Sequence, residues 1–408
     1  MKNKHIILVF ILVMVLASAC GAPIDKEPPY TPPAPIPDND MINHTNDSPD
    51  NKTLSNNTKN IADYGAIADG ITDDTLAIQK ALDSLEPGDT LLFNGGTHIY
   101  SDKLLINTTN VTLQGRNTTL LAANEKQALW IASPHVKIIG FNLISDFDLP
   151  RTAEPIMSHI VVDLVEGVVI KDNYIEGGRE TGMMIFGGRG IVIENNIVKN
   201  TKSDGIHLTD GTKDGLVANN TVIGTGDDGI AVVSYMVHGT ISRKITIENN
   251  NVSSTTWGRG ITVVGGEDVI IRKNNVYNTS AAGIYLASEW YFNTYGVRNV
   301  IIDSNNVSYA NYLTEVDNGG ILTLGESGTG IYKGEEIDLM IHNVTIKNNI
   351  VSYTISGPAH IRNVFNYTRN LTVINNTIIG RDNKKPIDLM LEEGYIRNGN
   401  TYNGMPID

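Results

Sequence analysis

The chain has 408 residues, enough for a large hydrophobic core, and 41% of them are hydrophobic. Its net charge of −14 argues against nucleic acid as a partner, because such binding needs a basic face, and argues weakly against a strongly anionic polymer as substrate. Cys20 is the only cysteine, so the chain cannot form an internal disulfide.

The N-terminus has the layout of an export signal. Lys2 and Lys4 precede an apolar run over residues 6–17, which is shorter than the roughly 20 residues of a membrane-spanning helix. The tetrapeptide Ala17-Ser18-Ala19-Cys20 resembles a bacterial lipobox, in which the cysteine receives lipid after cleavage. A plain secretory signal is the alternative, but a lone cysteine favours the lipoprotein. We predict a signal peptide over residues 1–20 and an extracellular, cell-surface protein that touches the membrane only through its lipid anchor.

The substitution Cys20→Ser tests this anchor. Labelled lipid should attach to the unaltered chain and not to the variant, because the thiol is the atom that would be modified. The variant should leave the membrane fraction completely. Release of the unaltered protein with no lipid on Cys20 would leave only the plain secretory signal.

The segment from residue 21 to residue 59 is rich in Pro, Asn, Asp, Ser and Thr, and it has almost no apolar periodicity. Such a composition cannot bury enough apolar surface to fold, and its prolines favour an extended chain. We predict a disordered tether over residues 21–59, followed by one domain over residues 60–408.

The start of the domain contains one helical pattern, from Thr72 to Leu85. Thr72, Asp73 and Asp74 offer side-chain oxygens that could cap the first turn. The apolar residues then fall on one face of a helix; they are Ala77, Ile78, Ala81, Leu82 and Leu85.

The rest of the domain is built from an internal repeat. An apolar-x-x-Asn-x-apolar phrase appears as Ile170-Lys-Asp-Asn173-Tyr-Ile175 and recurs along the chain. Its later copies centre on Asn196, Asn220, Asn250, Asn274, Asn305, Asn349 and Asn376. The successive spacings are 23, 24, 30, 24, 31, 44 and 27 residues, as expected for coils of fixed girth with occasional insertions. These asparagines are interpreted as structural: they tolerate the left-handed backbone of a tight turn and can form a ladder when stacked.

A second phrase, Gly-Ile-x-apolar, lies between the asparagine phrases; it begins at Gly205, Gly229, Gly260 and Gly283. Both phrases are short and alternating, which indicates strands. The pattern predicts an all-β fold, a right-handed parallel β-helix of stacked three-strand coils. The helix at Thr72 would cap its first coil, because bare strand edges must be covered.

The residues Asp63-Tyr64-Gly65-Ala66 and Asp69-Gly70-Ile71-Thr72-Asp73-Asp74-Thr75 resemble the N-terminal signature of the pectate-lyase-like superfamily. That superfamily includes polygalacturonases, rhamnogalacturonases and phage tailspikes. The resemblance implies a single-stranded right-handed β-helix and says little about chemistry, because function resides in the site.

The middle of the chain resembles the active-site region of polygalacturonases, which are glycoside hydrolases. Lys202-Ser203-Asp204-Gly205-Ile206 stands where those enzymes have Asn-Thr-Asp-Gly-Ile, and Gly226-Asp227-Asp228-Gly229-Ile230 matches their Gly-Asp-Asp-Cys-Ile. The resemblance implies that Asp204, Asp227 and Asp228 are catalytic, one as general acid and the others activating water.

Two later coils depart from the polygalacturonase pattern. Arg259 lies between two glycines where the family has histidine. Tyr285 and Ala287 replace the arginine and lysine of an Arg-Ile-Lys strand that grips the uronate carboxylate. The hydrolytic aspartates are therefore matched, whereas galacturonate recognition is not.

The repeat supports the same aspartates independently. Asp204 and Asp228 each precede the Gly-Ile of consecutive coils, so they should stack about 5 Å apart. When two carboxylates lie this close together, the pKa of at least one of them rises. One group can then stay protonated as an acid beside an ionised base. Glycoside hydrolysis needs such a pair.

The outer face of the same sheet supplies candidate substrate-binding residues. His207 and Tyr285 should project there; Arg259 lies one coil beyond Asp228, and Glu289 follows the strand that carries Tyr285. The histidines show no metal-ligand spacing, so no metal site and no cofactor are predicted. We expect a monomer whose partner is a polysaccharide or glycan.

Two alternatives stay open. The first is a Ca²⁺-dependent polysaccharide lyase, in which the carboxylates hold the ion and Arg259 abstracts a proton from the sugar. The second is a non-catalytic surface scaffold, an adhesin or carbohydrate-binding protein, in which each aspartate merely bonds its own turn.

Overall fold

A computed structural model describes residues 57–146, 148–313, 319–381, 383–391 and 393–408. The predicted signal peptide, Cys20 and nearly all of the predicted tether lie outside these ranges. The first strand, Thr58–Asn60, pairs in parallel with Thr90–Phe93. The β-helix therefore begins two residues before the boundary predicted at residue 60.

The prediction of parallel three-strand coils is confirmed. One face of the solenoid is an 11-stranded parallel sheet, here called the site sheet. Its strands are Leu104–Ile106, Leu129–Ile131, Ile160–Asp163, Met183–Phe186, Ile206–Thr209, Ile230–Val233, Ile261–Val264, Ile284–Ser288, Ile321–Gly325, Ala359–Val364 and Lys385–Leu389.

The other two faces form a 25-stranded sheet. Its strands are Thr58–Asn60, Asp69–Asp73, Thr90–Phe93, Gly96–Tyr100, Thr112–Ala122, Lys137–Ser145, Val169–Lys171, Tyr174–Gly177, Val192–Glu194, Ile197–Lys199, Lys213–Ala218, Thr221–Ile223, Arg243–Glu248, Asn251–Ser253, Gly266–Arg272, Asn275–Tyr277, Val297–Asp303, Asn306–Ser308, Ile341–Lys347, Ile350–Ser352, Thr368–Ile374, Thr377–Ile379, Tyr395–Asn398, Thr401–Tyr402 and Met405–Pro406. A separate hairpin pairs Thr329–Tyr332 with Glu335–Asp338.

The predicted asparagine column runs along the bend between the two faces of the larger sheet. In Asn274, Oδ1 accepts from the backbone N–H of Asn250 at 2.9 Å and from its Nδ2 at 3.0 Å. The Asn274 Nδ2 donates to the Ile247 carbonyl and to Asn305 Oδ1, both at 2.9 Å. The same pattern runs from Asn173 to Asn376 and ends on Asn400. The ladder therefore satisfies buried polar groups at the bends from Asn173 to Asn400.

One detail of the asparagine prediction is wrong. The left-handed residue is not the ladder asparagine but the residue before it, such as Asp172, Asn195 or Lys273, with φ between 54° and 58°. This leaves the ladder side chain free to point inward, where it bonds the next coil.

The capping helix is present but shorter than predicted. It spans Thr75–Asp83, and Ile78, Ala81 and Leu82 are buried against the first coils. Thr72 and Asp73 instead end the strand Asp69–Asp73.

The signature aspartates stabilise turns. Asp74 is at the N-cap position but makes no side-chain cap bond. Its carboxylate accepts the N–H groups of Ile67 and Ala68 and lies 2.7 Å from His98 Nδ1. Asp69 accepts the N–H groups of Ile71 and Thr72. These contacts explain the signature without any catalytic role.

Short 3₁₀ helices occupy Ile61–Tyr64, Pro155–Met157, Met236–His238 and Trp290–Phe292. The last two lie in insertions that account for the long spacings of 30 and 31 residues. Within the described ranges, no helix is long and apolar enough to cross a membrane.

Removing one ladder side chain should cost substantial stability. The change Asn274→Ala leaves the buried N–H and Nδ2 of Asn250 without their acceptor. We expect the free energy of unfolding to fall by on the order of 3 kcal/mol in urea titration, since each stranded buried group costs about 1–3 kcal/mol. The matched control is Asn275→Ala, whose half-buried side chain bonds only the side chains of Asn251 and Asn306. A loss as large in the control would contradict a special role for the inner ladder.

Candidate active site

The predicted catalytic residues lie at one edge of the site sheet, where the chain enters each strand. Ile206, Ile230 and Ile261 are in register on consecutive coils, so Asp204, Asp228 and Arg259 occupy the same place in successive turns. Glycine follows each of them because the turns stack closely. A Cβ on Gly229 would lie 2.3 Å from Val252 Cγ1 and 2.7 Å from the Gly260 carbonyl oxygen. A side chain there would push the coils apart and misplace the carboxylates.

The three aspartates come together as predicted. One carboxylate oxygen from each of Asp204, Asp227 and Asp228 lies within 4.8 Å of the others. Asp204 Oδ1 accepts the N–H of Asp228 at 2.8 Å, and its Oδ2 lies 2.5 Å from His207 Nδ1. Asp204 is thus held on both oxygens by donors.

Asp227 and Asp228 have different partners. Asp228 Oδ1 accepts the N–H of Arg259 at 2.7 Å. Asp227 Oδ2 pairs with Arg151, which reaches it from the loop after the strand Lys137–Ser145. Asp227 Oδ1 is buried and has no hydrogen-bond partner among the described residues.

Burial and mutual repulsion raise the pKa values of Asp227 and Asp228. Burial raises the pKa of Asp228 to about 7; Arg259 opposes the shift, while the charges of Asp227 and Asp204 add to it. Burial, followed by the Asp204 charge, raises the pKa of Asp227 as well. Both shifts favour keeping a proton on this pair of neighbouring carboxyl groups.

Arg259 is enclosed rather than available to solvent. Its Nη2 donates to Glu289 Oε1 at 2.8 Å, and its Nη1 lies 3.6 Å from Asp228 Oδ1. Its guanidinium carbon sits 4.4 Å from the centre of the Tyr285 ring, and the Tyr285 hydroxyl donates to Glu289 Oε1 at 3.1 Å. Burial alone would lower the pKa of Arg259, but Asp228 and Glu289 outweigh it and hold the pKa above its usual value.

The structure therefore brings together every site residue predicted in the described ranges. His207 and Tyr285 lie in one outward column of the site sheet with Ala231 and Thr262, as predicted. This face is less open than expected, because Ala231 and Thr262 are fully buried. Tyr235 packs against an apolar cluster on this face that contains Ala231 and Tyr285.

Three site residues were missed from the sequence. Glu180 is buried, and burial, opposed by Arg151, raises its pKa to about 7. Glu180 stands two residues before Gly182, as Asp227 stands two residues before Gly229. Met183 follows Gly182 in the register position that isoleucine holds in later coils. Accepting methionine at that position of the repeat would have identified Glu180 from the sequence.

Arg151 and Tyr235 carried no such signal. Arg151 precedes Asp227 by 76 residues and lies in an irregular loop. Tyr235 follows the strand Ile230–Val233, and burial together with the nearby Asp204 and Glu289 charges raises its pKa to about 12.

The three aspartates could in principle hold a hard cation. Among the described residues they are the one cluster of three or more potential ligand side chains. Ca²⁺ requires six to eight oxygen ligands. Here both Asp204 oxygens, one Asp227 oxygen and one Asp228 oxygen already contact donors. Arg151 and Arg259 also place positive charge beside the cluster. The residues present therefore fit Ca²⁺ poorly.

The fold defines the class: a right-handed parallel β-helix of the pectate-lyase-like kind. Residues 58–285 match the family described as rhamnogalacturonase A/epimerase, pectate lyase-like. The match spans more than half of the sequence, and the chain belongs to this family of carbohydrate-active β-helix proteins. No curated protein matches the sequence.

Solved structures share the fold at low identity. The catalytic unit of a GH87 α-1,3-glucanase from Streptomyces thermodiastaticus is 18% identical, with a TM-score of 0.64. The match covers 88% of this chain and 72% of the glucanase chain. The mannuronan C-5 epimerase A-module of Azotobacter vinelandii is 16% identical, with a TM-score of 0.61. The match covers 86% of this chain and 100% of the epimerase module. The exopolygalacturonase of Thermotoga maritima is 15% identical with a TM-score of 0.61, covering 85% and 93%.

Proposed function

We propose that this chain is an exported, lipid-anchored glycoside hydrolase that cuts a polysaccharide by carboxylate acid–base catalysis. One observation carries the proposal: three carboxylates lie within 4.8 Å, and Asp227 Oδ1 is buried without a donor among the described residues. A turn-stabilising role accounts for Asp204 and Asp228, which accept backbone N–H groups. It does not account for Asp227, and burying an unsatisfied carboxylate oxygen costs stability. The names of the glucanase and the exopolygalacturonase agree with this chemistry.

The roles follow from the contacts. The protonated member of the Asp227–Asp228 pair donates its proton to the glycosidic oxygen, so the leaving sugar departs as an alcohol. Asp204 accepts the N–H of Asp228 and contacts His207, and in this proposal it takes a proton from the attacking water. His207 positions Asp204, and Arg259 restrains Asp228.

The lyase alternative requires Arg259 to act as a base. A guanidinium must lose its proton to do so, yet Asp228 and Glu289 hold the pKa of Arg259 above its usual value. Its mostly buried position, with side-chain exposure of 17%, also keeps it from a sugar C–H. Both features favour the hydrolase.

A digestion panel tests the proposal. Purified protein is incubated with plant and microbial polysaccharides, with and without chelator, and new reducing ends are counted. We expect cutting of at least one glycan at a rate that chelator does not change. Loss of activity with chelator would favour the lyase, and no cutting across a broad panel would favour the scaffold.

The pH–rate profile should show a basic limb near neutral pH. The general acid works only while protonated, and burial raises the pKa of Asp228 to about 7. We expect kcat/KM to fall about tenfold per pH unit above pH 7–8, measured by initial rates in constant ionic strength. Activity that stays flat up to pH 10 would contradict the assignment.

The raised pKa of Asp228 also links this carboxyl to folding stability. Its contribution is fully present below about pH 4 and is lost as pH rises through 7.

A further inference from the structure

We propose that the site takes an uncharged glycan and rejects uronates. This rests on the proposed function and names the substrate class of the same site. Five carboxylates lie in or beside the candidate site: Asp204, Asp227, Asp228, Glu180 and Glu289.

Only two arginines face these carboxylates in the described part of the chain, and both are already ion-paired. Arg259 contacts Asp228 and Glu289, and Arg151 contacts Asp227. Even with Asp228 and Glu180 protonated, the three other carboxylates outnumber the two arginines by one, and a positive charge on His207 beside Asp204 would only bring the balance to zero. A uronate carboxylate would add a further negative charge to a site without a positive surplus.

Recruiting either arginine for a uronate would strand a protein carboxylate. Arg259 is mostly buried, and its departure would leave Glu289 and Asp228 facing each other. Arg151 is the more exposed of the two, with 47% of its side chain exposed, but Asp227 is 14% exposed and would lose its partner. Breaking the mostly buried Arg259 pairs is strongly unfavourable, whereas breaking the half-exposed Arg151 pair costs less but still leaves Asp227 without its cation.

Aromatic side chains stand exposed at both edges of the site sheet. Trp257 precedes Gly258, and about half of the Trp257 side chain is exposed. Gly258 lies close to the aspartates, since a Cβ atom added to it would be 2.5 Å from Asp227 Oδ1. Tyr291 and Phe292 are exposed just after Glu289 at the opposite edge, with ring centres 5.1 Å apart. The C–H faces of uncharged pyranose rings pack on such aromatic surfaces, and exposed apolar patches mark ligand sites.

The test uses polymer pairs with the same backbone and linkage but different charge. Fully methyl-esterified pectin is paired with polygalacturonate, and a neutral glucan is paired with its 6-carboxyl form. We expect kcat/KM on the uncharged member of the cut pair to exceed that on the charged member by on the order of 100-fold, and to be insensitive to salt.

The outcomes separate this inference from the proposed function. Faster cutting of a charged member would overturn the inference and leave the hydrolase standing. No cutting of any pair, or of the wider panel, would overturn the proposed function and this inference with it.

Discussion

Replacing Asp228 by asparagine should lower turnover at least about 1,000-fold, the upper part of the range for losing a general acid. The amide oxygen can still accept the N–H of Arg259, so the local hydrogen bond survives. The amide cannot supply the proton that the leaving oxygen needs. We also expect the melting temperature at pH 8 to be maintained or raised, because a buried carboxylate near Asp204 and Asp227 is removed.

The matched control is Asp172→Asn, the same chemical change at an exposed carboxylate on the larger sheet. This control should keep its activity and its melting temperature. In a scaffold, Asp228→Asn would instead lower stability by about 1 kcal/mol through a weakened turn bond, with no activity to lose. That result in calorimetry, together with an inactive unaltered protein, would refute the catalytic role.

Replacing Arg259 by methionine should destabilise the fold by about 3–5 kcal/mol, the usual cost of removing one partner from a buried ion pair. The change leaves Asp228 and Glu289 without their shared cation, and it removes the guanidinium that packs on Tyr285. The loss should be larger at pH 8 than at pH 5, since Asp228 can take up a proton at the lower pH. Urea unfolding at the two pH values measures both effects.

Arg151→Met is the control for this change. It also removes an arginine from an aspartate, but nearly half of the Arg151 side chain is exposed, so we expect a loss of about 1 kcal/mol or less. Equal losses from the two variants, or a loss at Arg259 that does not depend on pH, would show that the enclosed ion cluster does not hold this part of the fold.

The sequence predicted the fold well because each coil repeats the same physical requirement. Asn196, Asn220 and their equivalents recur where the chain bends, and the glycines before Ile206 and Ile230 recur where turns stack. A period that every coil must obey is visible without a structure. The conformation of the bend was harder, since the left-handed residue stands just before the ladder asparagine and is often asparagine itself, as at Asn195, but is Lys273 or Asp172 in other coils.

The candidate site was predictable only where it follows the repeat. Asp204, Asp228 and Arg259 fall in one register column, so their proximity could be read from spacing. Arg151 could not be placed, because a loop that leaves the coil has no period, and its pairing with Asp227 depends on where that loop returns. Burial of the outward face by Tyr235 was missed for the same reason: the insertion after the strand Ile230–Val233 determines it.

The most direct test of the account is the origin of the oxygen in the product. A glycan that the protein cuts is digested in ¹⁸O-labelled water, and the fragments are analysed by mass spectrometry and ultraviolet absorbance. Acid–base hydrolysis by Asp204, Asp227 and Asp228 predicts one heavy oxygen per cut and saturated fragments. Unsaturated, ultraviolet-absorbing fragments without oxygen from water would contradict it.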